Sequence, residues 1–229
     1  MIQLVPTPDN WLSPYGPNKS LVPVPSRMRL LHPAACASWP TLPGQSEPAD
    51  ELIVTDVYRS LTSQLEAYES RKRGVQRPGY SAHNFGLAID LDVRAMMKRL
   101  DCDKVGLDTW MRNRSWTCYR TDGRLTWNGK TASENWHYTF NAIVGGSDAV
   151  EGAIQRYYMH EFAAMREPKA IQEALATLRL YDGAIDGKLG PLSRRAIGLF
   201  QRQWGIREST GAPRVGPETA RMLVAAVLV

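Results

Sequence analysis

Between Leu87 and Val93 apolar and polar positions alternate: Leu87, Ile89, Leu91 and Val93 face one way, Ala88, Asp90 and Asp92 the other. That period of two predicts a strand with one face in a core and Asp90 on the polar face. The run "ELIVTDVY" (51–58) predicts a buried strand, and Ser60 reads as the N-cap of a helix over 61–73 that Gly74 ends. "ENWHYTFNAIV" (134–144) predicts another strand, with Trp136 and Tyr138 on its core side. A helix is expected from about Asp148 to Met165, and "REP" at 166–168 breaks it. Residues 94 to 128 carry helical fragments and loops rich in Arg and Trp.

After Lys169 the pattern changes to short amphipathic helices around a Gly/Asp-rich turn. Ile171, Leu175 and Leu178 mark one helix face, and Ala196, Ile197 and Phe200 a second. The turn "YDGAIDGKLGP" is not a calcium loop: Ala184 stands at the third ligand position and Ser193 at the twelfth, where a glutamate is needed. Ahead of all this, ten of the fifteen prolines fall in the first 50 residues. They predict an extended, turn-rich arm wrapped on a domain surface, with a short helix near 27–38. The expected division is therefore 1–167, arm included, and 168–229.

Composition narrows the class. A hydrophobic content of 43% and seven tryptophans describe a folded globular chain, and a net charge of +5 favours an anionic partner. The basic residues are dispersed, with no run longer than "RKR" at 71–73, and no groove-reading motif accompanies them, so nucleic acid is not expected. Cys36, Cys102 and Cys118 share no CxxC spacing, which excludes a thiolate zinc finger and favours reduced thiols, although a Cys102–Cys118 bridge stays open. The N-terminal "MIQLVPTPDNW" shows no secretory signal, and no apolar run reaches membrane-spanning length. A monomer is expected, made in, and at first staying in, a cytoplasm without membrane insertion.

The candidate chemistry lies around Asp90. His83 precedes Gly86, and a bend at that glycine can fold the imidazole back over the polar strand face. His137 follows Glu134 by three residues at the start of the later strand. Two histidines, one carboxylate and a free glutamate make up a catalytic zinc set: three ligands leave a position open, and the glutamate handles a proton. Asp92 is read as an outer partner or a solvated group, and His32 and His160 as structural or exposed.

These segments resemble a known family. "SAHNFGLAID" matches an SxHxxGxAxD signature, "ENWH" an ExWH-like one, and "VYRSLTSQ" (57–64) the upstream YRS-x-x-x-Q of zinc D-alanyl-D-alanine carboxypeptidases and L-alanyl-D-glutamate endopeptidases. That family includes VanX-like dipeptidases, VanY-like carboxypeptidases and many phage endolysins. The resemblance covers roughly residues 25 to 145. It implies one Zn2+ per chain on His83, Asp90 and His137, with Glu134 as general base. It also implies Arg59 at the scissile carbonyl or a substrate carboxylate, Ser81 and Gln64 shaping a subsite, and residues 108–130 setting the bond cut.

The C-terminal pieces "DGAIDGKLGPLSRRAI", "FQRQWGI" and "VGPETARML" resemble three-helix peptidoglycan-binding domains. Tyr181, Arg194 and Trp204 are candidates for wall contact. Together the two resemblances imply an α+β fold: a small antiparallel-sheet zinc peptidase followed by an all-α three-helix wall-binding domain. The implied partner is bacterial peptidoglycan and the implied function a phage endolysin-type endopeptidase, cutting the L-Ala–D-Glu bond for host lysis. The alternatives are a D-Ala-D-Ala carboxypeptidase or D,D-endopeptidase, and a non-catalytic wall-binding or virion protein.

Overall fold

The computed structural model describes residues 2–39, 51–70, 75–118, 125–127, 130–132, 134–144, 150–208 and 211–228. The chain opens with β1 (Val5–Pro6), β2 (Leu12–Ser13), β3 (Val22–Pro23) and β4 (Leu30–Leu31), paired antiparallel as β1–β4 and β2–β3. Pro6 and Pro23 keep these ladders short, because each removes a backbone donor. Helix α1 (Pro33–Cys36) follows, then β5 (Val54–Asp56), α2 (Leu61–Glu69), β6 (Ala88–Leu91), α3 (Val93–Arg99), α4 (Lys104–Arg112) and β7 (Trp116–Cys118). The hairpin β8 (Leu125–Trp127)–β9 (Lys130–Ala132) precedes β10 (His137–Phe140). Five helices complete the described chain: α5 (Val150–Tyr157), α6 (Met159–Ala164), α7 (Pro168–Thr177), α8 (Pro191–Gln203) and α9 (Pro217–Ala226). Among the described residues no helix is long and apolar enough to cross a membrane.

Two compact units interleave along the sequence rather than following a single cut. One comprises Ile2–Ser60 and Ser81–Ile154, the other Leu61–Tyr80 and Gln155–Val229. The first holds a four-stranded antiparallel sheet in the order β5-β6-β10-β7. Leu87, Ile89 and Leu91 are buried beneath it, as the alternation predicts, and α4 packs on β7. Strand β6 is shorter than 87–93 because Asp92 starts a helix instead: its Oδ1 accepts the Ala95 N–H at 3.0 Å and caps α3. Asp92 is thus a helix cap, and α3 takes up the start of the stretch expected to carry helical fragments.

The proline-rich arm is more than a surface wrap. Trp11, Val24, Leu31 and Trp39 are all buried, and Trp39 meets Trp11, Trp110 and Trp116 at ring-centroid distances of 5.5, 5.7 and 6.1 Å. The arm therefore supplies core side chains to the sheet-bearing unit. Its expected helix over 27–38 is reduced to a 3-10 turn at Ser26–Met28 and to α1, with β4 between them. Residues 40–50 of the arm lie outside the described residues.

In the second unit α7 packs on α8 and α9, and α6 packs on α9. Each of α7, α8 and α9 opens on a proline in its first turn, where the missing N–H costs no hydrogen bond. Arg221 is buried in this unit, its guanidinium 4.5 Å from the Tyr80 ring centre and 5.2 Å from that of Phe162, and hydrogen-bonded to Gln155. Tyr80 belongs to the excursion 61–80, so that segment folds with the C-terminal helices. Helix α2 ends at Glu69; the expected extension to Arg73 and its Gly74 stop fall partly outside the described residues.

Candidate metal centre

Asp90 and His137 are direct partners in the β6–β10 register, so their side chains leave the same face of the sheet. His137 Nδ1 lies 2.7 Å from Asp90 Oδ1. His83 Nε2 lies 3.3 Å from the same oxygen and 3.3 Å from His137 Nδ1. Among the described residues these side chains form the one group able to hold a metal ion.

Local structure explains how His83 arrives there. It sits in a 3-10 turn, Ala82–Phe85, with Ser81 at the N-cap, its Oγ accepting the His83 N–H, and Gly86 at the C-cap. Gly86 has φ +63°, and a Cβ there would stand 2.5 Å from the His32 nitrogen. Only glycine fits a left-handed position pressed against backbone, so the bend predicted from the sequence is a glycine requirement. His83 Nδ1 donates to the Val57 carbonyl at 2.5 Å. A carbonyl only accepts, so Nδ1 keeps its proton, and in the neutral ring it is Nε2 that offers a lone pair on the side of Asp90 and His137.

This donor set fits a zinc ion. With bonds of about 2.0–2.1 Å in a tetrahedral arrangement, ligand atoms stand roughly 3.3 Å apart. The separations found are 2.7, 3.3 and 3.3 Å, and the set of two imidazoles and one carboxylate is a catalytic one. His83 is buried, but the Asp90 and His137 side chains keep 14% and 15% of their exposure, so the cluster opens on one side.

The electrostatics are those of a buried charge cluster. Burial alone would raise the Asp90 carboxyl, yet the charge and hydrogen bond of His83 and the hydrogen bond from His137 hold it well below the usual range. For His83, burial works against the imidazolium, but Asp90 outweighs it and raises the pKa. The Glu134 carboxyl is pushed up by burial, with the charges of His137, His83 and Arg59 opposing and Asp90 assisting. Glu134 is held close by a turn in which its carbonyl accepts the His137 N–H at 3.2 Å. Trp136, within that turn, is 42% exposed, so only Tyr138 takes the core side. The expected strand over 134–144 shrinks to β10, and the turn replaces its first residues.

Arg59 is tied to the same turn as His83. Its N–H donates to the His83 carbonyl at 3.2 Å, and its carbonyl accepts Asn84 Nδ2 at 2.6 Å. The guanidinium pairs with Asp56, with Nε 2.9 Å from Oδ2. Asp56 and the Val57 carbonyl are participants that the sequence reading missed; Asp56 lies three residues before Arg59, a spacing that signals an ion pair only on a known turn. Gln64, in the other unit, is buried and donates to the Gln76 carbonyl. Residues 119–124, 128 and 129 of the expected subsite loop lie outside the described residues. All three cysteines are free thiols.

Among the wall-contact candidates, Tyr181 serves its own loop: Oη donates to the Ala184 carbonyl at 2.7 Å and accepts from Gln172 at 3.1 Å. Gln172 also reaches Asp186 at 2.9 Å and organises the Gly/Asp-rich turn from α7, a role the sequence did not reveal. Arg194 is exposed, and Trp204 is half-buried against Phe200, ring centres 6.3 Å apart.

Comparison with known proteins adds to this geometry. A stretch of 47 residues, 20% of this chain, is 49% identical to "Putative OxPP cycle protein OpcA" of Synechococcus elongatus. That match spans 10% of the relative's own length. Residues 166–223, which contain α7, α8 and all but the end of α9, match a family described as "Putative peptidoglycan binding domain". The C-terminal helical region is thus similar to a peptidoglycan-binding domain.

Proposed function

We propose that the protein is a zinc-dependent peptidoglycan endopeptidase of the phage endolysin type, which cuts the stem peptide between L-Ala and D-Glu. The observation that carries this reading is the meeting of His83, Asp90 and His137 beside Glu134 in a chain whose C-terminal region resembles a wall-binding domain. One zinc ion held by those three side chains would supply a Lewis acid able to polarise an amide carbonyl and acidify water.

The protein's own groups do the rest. The Val57 carbonyl holds His83 in the tautomer that offers Nε2. Glu134 accepts a proton from the water whose oxygen bonds to the amide carbon. It then delivers that proton to the leaving nitrogen as the C–N bond breaks, leaving a carboxylate and an amine. Burial favours this role, because a carboxyl raised above its ordinary value is a stronger base. Arg59, fixed by Asp56, faces the negative charge that develops on the carbonyl oxygen. The C-terminal helices keep the enzyme on its polymeric substrate, a function that a dipeptidase acting on free D-Ala-D-Ala would not use.

The test is digestion of purified peptidoglycan by the wild type and Glu134→Ala, with mass spectrometry of the products. New D-Glu amino termini from the wild type alone support the reading. Loss of single terminal D-Ala residues identifies a carboxypeptidase at the same centre, and release by neither protein identifies a non-catalytic wall-binding protein.

A further inference from the structure

The residues just before the His83 turn are fastened to helix α9 by three unlike contacts. Arg77 Nη1 lies 2.8 Å from Glu218 Oε1. Gly79, at φ +76°, lets the chain run close to the helix, since a Cβ there would stand 2.5 Å from the Met222 sulfur. Tyr80 is buried, with the Arg77 guanidinium 3.7 Å and the Arg221 guanidinium 4.5 Å from its ring centre. Glu218, Arg221 and Met222 all belong to α9. The contact with Arg221 is the strongest of the three. Arg221 is only 4% exposed, and loss of water strengthens a cation over an aromatic ring. The half-exposed Arg77–Glu218 pair adds little.

One peptide bond separates this anchorage from the metal centre. Tyr80 closes the excursion 61–80, and Ser81 is the N-cap of the turn that carries His83. Ser81 accepts from that turn at both its oxygens: Oγ takes the His83 N–H at 3.4 Å, and the carbonyl takes the Asn84 N–H at 3.0 Å. The excursion leaves after Ser60, and its base is closed by Arg59, which donates its N–H to the His83 carbonyl and accepts from Asn84.

A 3-10 turn of four residues is weak on its own, so its geometry depends on what holds its ends. The C-terminal end is held at Gly86, whose carbonyl accepts the His32 N–H at 2.9 Å. The N-terminal end is held by Ser81, and Ser81 follows a tyrosine that α9 fixes.

We propose that Arg221 is a positioning residue for the metal centre: by holding Tyr80 it fixes the N-terminal end of the turn that presents His83. This role rests on the zinc centre proposed above and adds to it a dependence on the C-terminal helices, which keep a metal ligand in place whatever they bind.

The test is residue-resolved amide hydrogen exchange on the metal-free, full-length protein. Arg221→Met keeps an unbranched side chain and removes the charge. In this variant the amides of His83, Asn84, Gly86 and Leu87 should exchange about tenfold faster than in the wild type, while those of α7, α8, β6 and β10 keep their protection. Arg221→Lys, which keeps a cation, should restore most of the difference. Should Arg221→Met also strip protection from α7 and α8, Tyr80→Leu removes the same contact without touching α9 and should loosen the same four amides. Turn amides that keep wild-type rates in both variants overturn the proposal. Zinc affinity, read separately by competition with a chelating dye, should fall about tenfold with the loosened turn, as when the support of a metal ligand is removed. A loosened turn with unchanged zinc affinity also overturns the proposal. A wild type that binds no zinc overturns the peptidase reading alone, because exchange is read without metal.

Discussion

Asp90 and His137 face each other across the β6–β10 pair, with 2.7 Å between Asp90 Oδ1 and His137 Nδ1. The contact depends on register: a slip of one residue would move Asp90 to the core face and replace it by Ile89 or Leu91. The buried leucine–isoleucine row that fixes β6 in the core therefore also positions the candidate ligand.

The first prediction tests that ligand set. Asp90→Asn should keep the fold but lower zinc affinity by at least about a hundredfold, since it removes the anion shared by two imidazoles. Elemental analysis after dialysis against a buffered zinc level reads this directly. The wild type should hold about one zinc per chain and the variant far less; equal retention would exclude Asp90 as a ligand.

The second prediction concerns Gly86. Gly86→Ala places a methyl group 2.5 Å from the His32 nitrogen at a φ of +63°, where alanine is already strained. A cost of about 2–4 kcal/mol is expected in urea unfolding, from strain together with displaced backbone. Because the same residue ends the turn that carries His83, zinc affinity should fall with stability.

The meeting of the three candidate ligands was more legible in the sequence than the fold around them. That His83, Asp90 and His137 come together could be expected from their residue types, two imidazoles and one carboxylate on neighbouring segments. The glycine bend could be inferred because seven residues of straight strand would have put His83 and Asp90 on opposite faces. The arm was misread as a wrap because proline predicts local conformation and says nothing about where Trp11 and Trp39 are buried. Trp136 was misplaced for a similar reason: alternation was extended through a turn that starts at Glu134. The Val57 carbonyl and Asp56 left no signal, since a backbone acceptor has no residue type and an ion pair needs a known turn.

The third prediction is a pH dependence. Burial lowers the His32 pKa to about 4, and its Nδ1 accepts the Ala34 N–H at 3.1 Å, which needs the neutral ring. In the unfolded chain the ring titrates near 6.5, so between these values the unfolded state binds the extra proton. Stability from this group is complete above pH 6.5 and is lost as pH falls toward 4, by about 3 kcal/mol in all. Unfolding midpoints from pH 8 to 4 should therefore fall more steeply for the wild type than for His32→Asn. Parallel curves would exclude His32 as the source.

The fourth prediction lies in the C-terminal helical region. The Glu208 carboxylate accepts the Gly216 N–H at 2.9 Å, the Glu218 N–H and the Thr219 hydroxyl, and so closes the N-terminal end of α9. Glu208→Ala should cost about 1–2 kcal/mol, combining a lost cap with a lost favourable charge at the positive end of the helix. Hydrogen exchange of the α9 amides should rise while amides of β6 and β10 keep their protection.

The fifth prediction separates two roles for Arg59. An ion pair with Asp56 as partly exposed as this one contributes about 1 kcal/mol or less to stability. A guanidinium facing the developing oxyanion contributes far more to the rate, about a hundredfold in kcat for a lost donor. Arg59→Ala should therefore leave zinc content unchanged and thermal stability nearly so, while kcat on a stem-peptide substrate falls about a hundredfold. Asp56→Asn, which keeps the cation but loosens its anchor, should give a smaller fall. If Arg59→Ala instead lowers stability and leaves kcat intact, the residue is a structural partner of Asp56, and transition-state charge must be met by other groups.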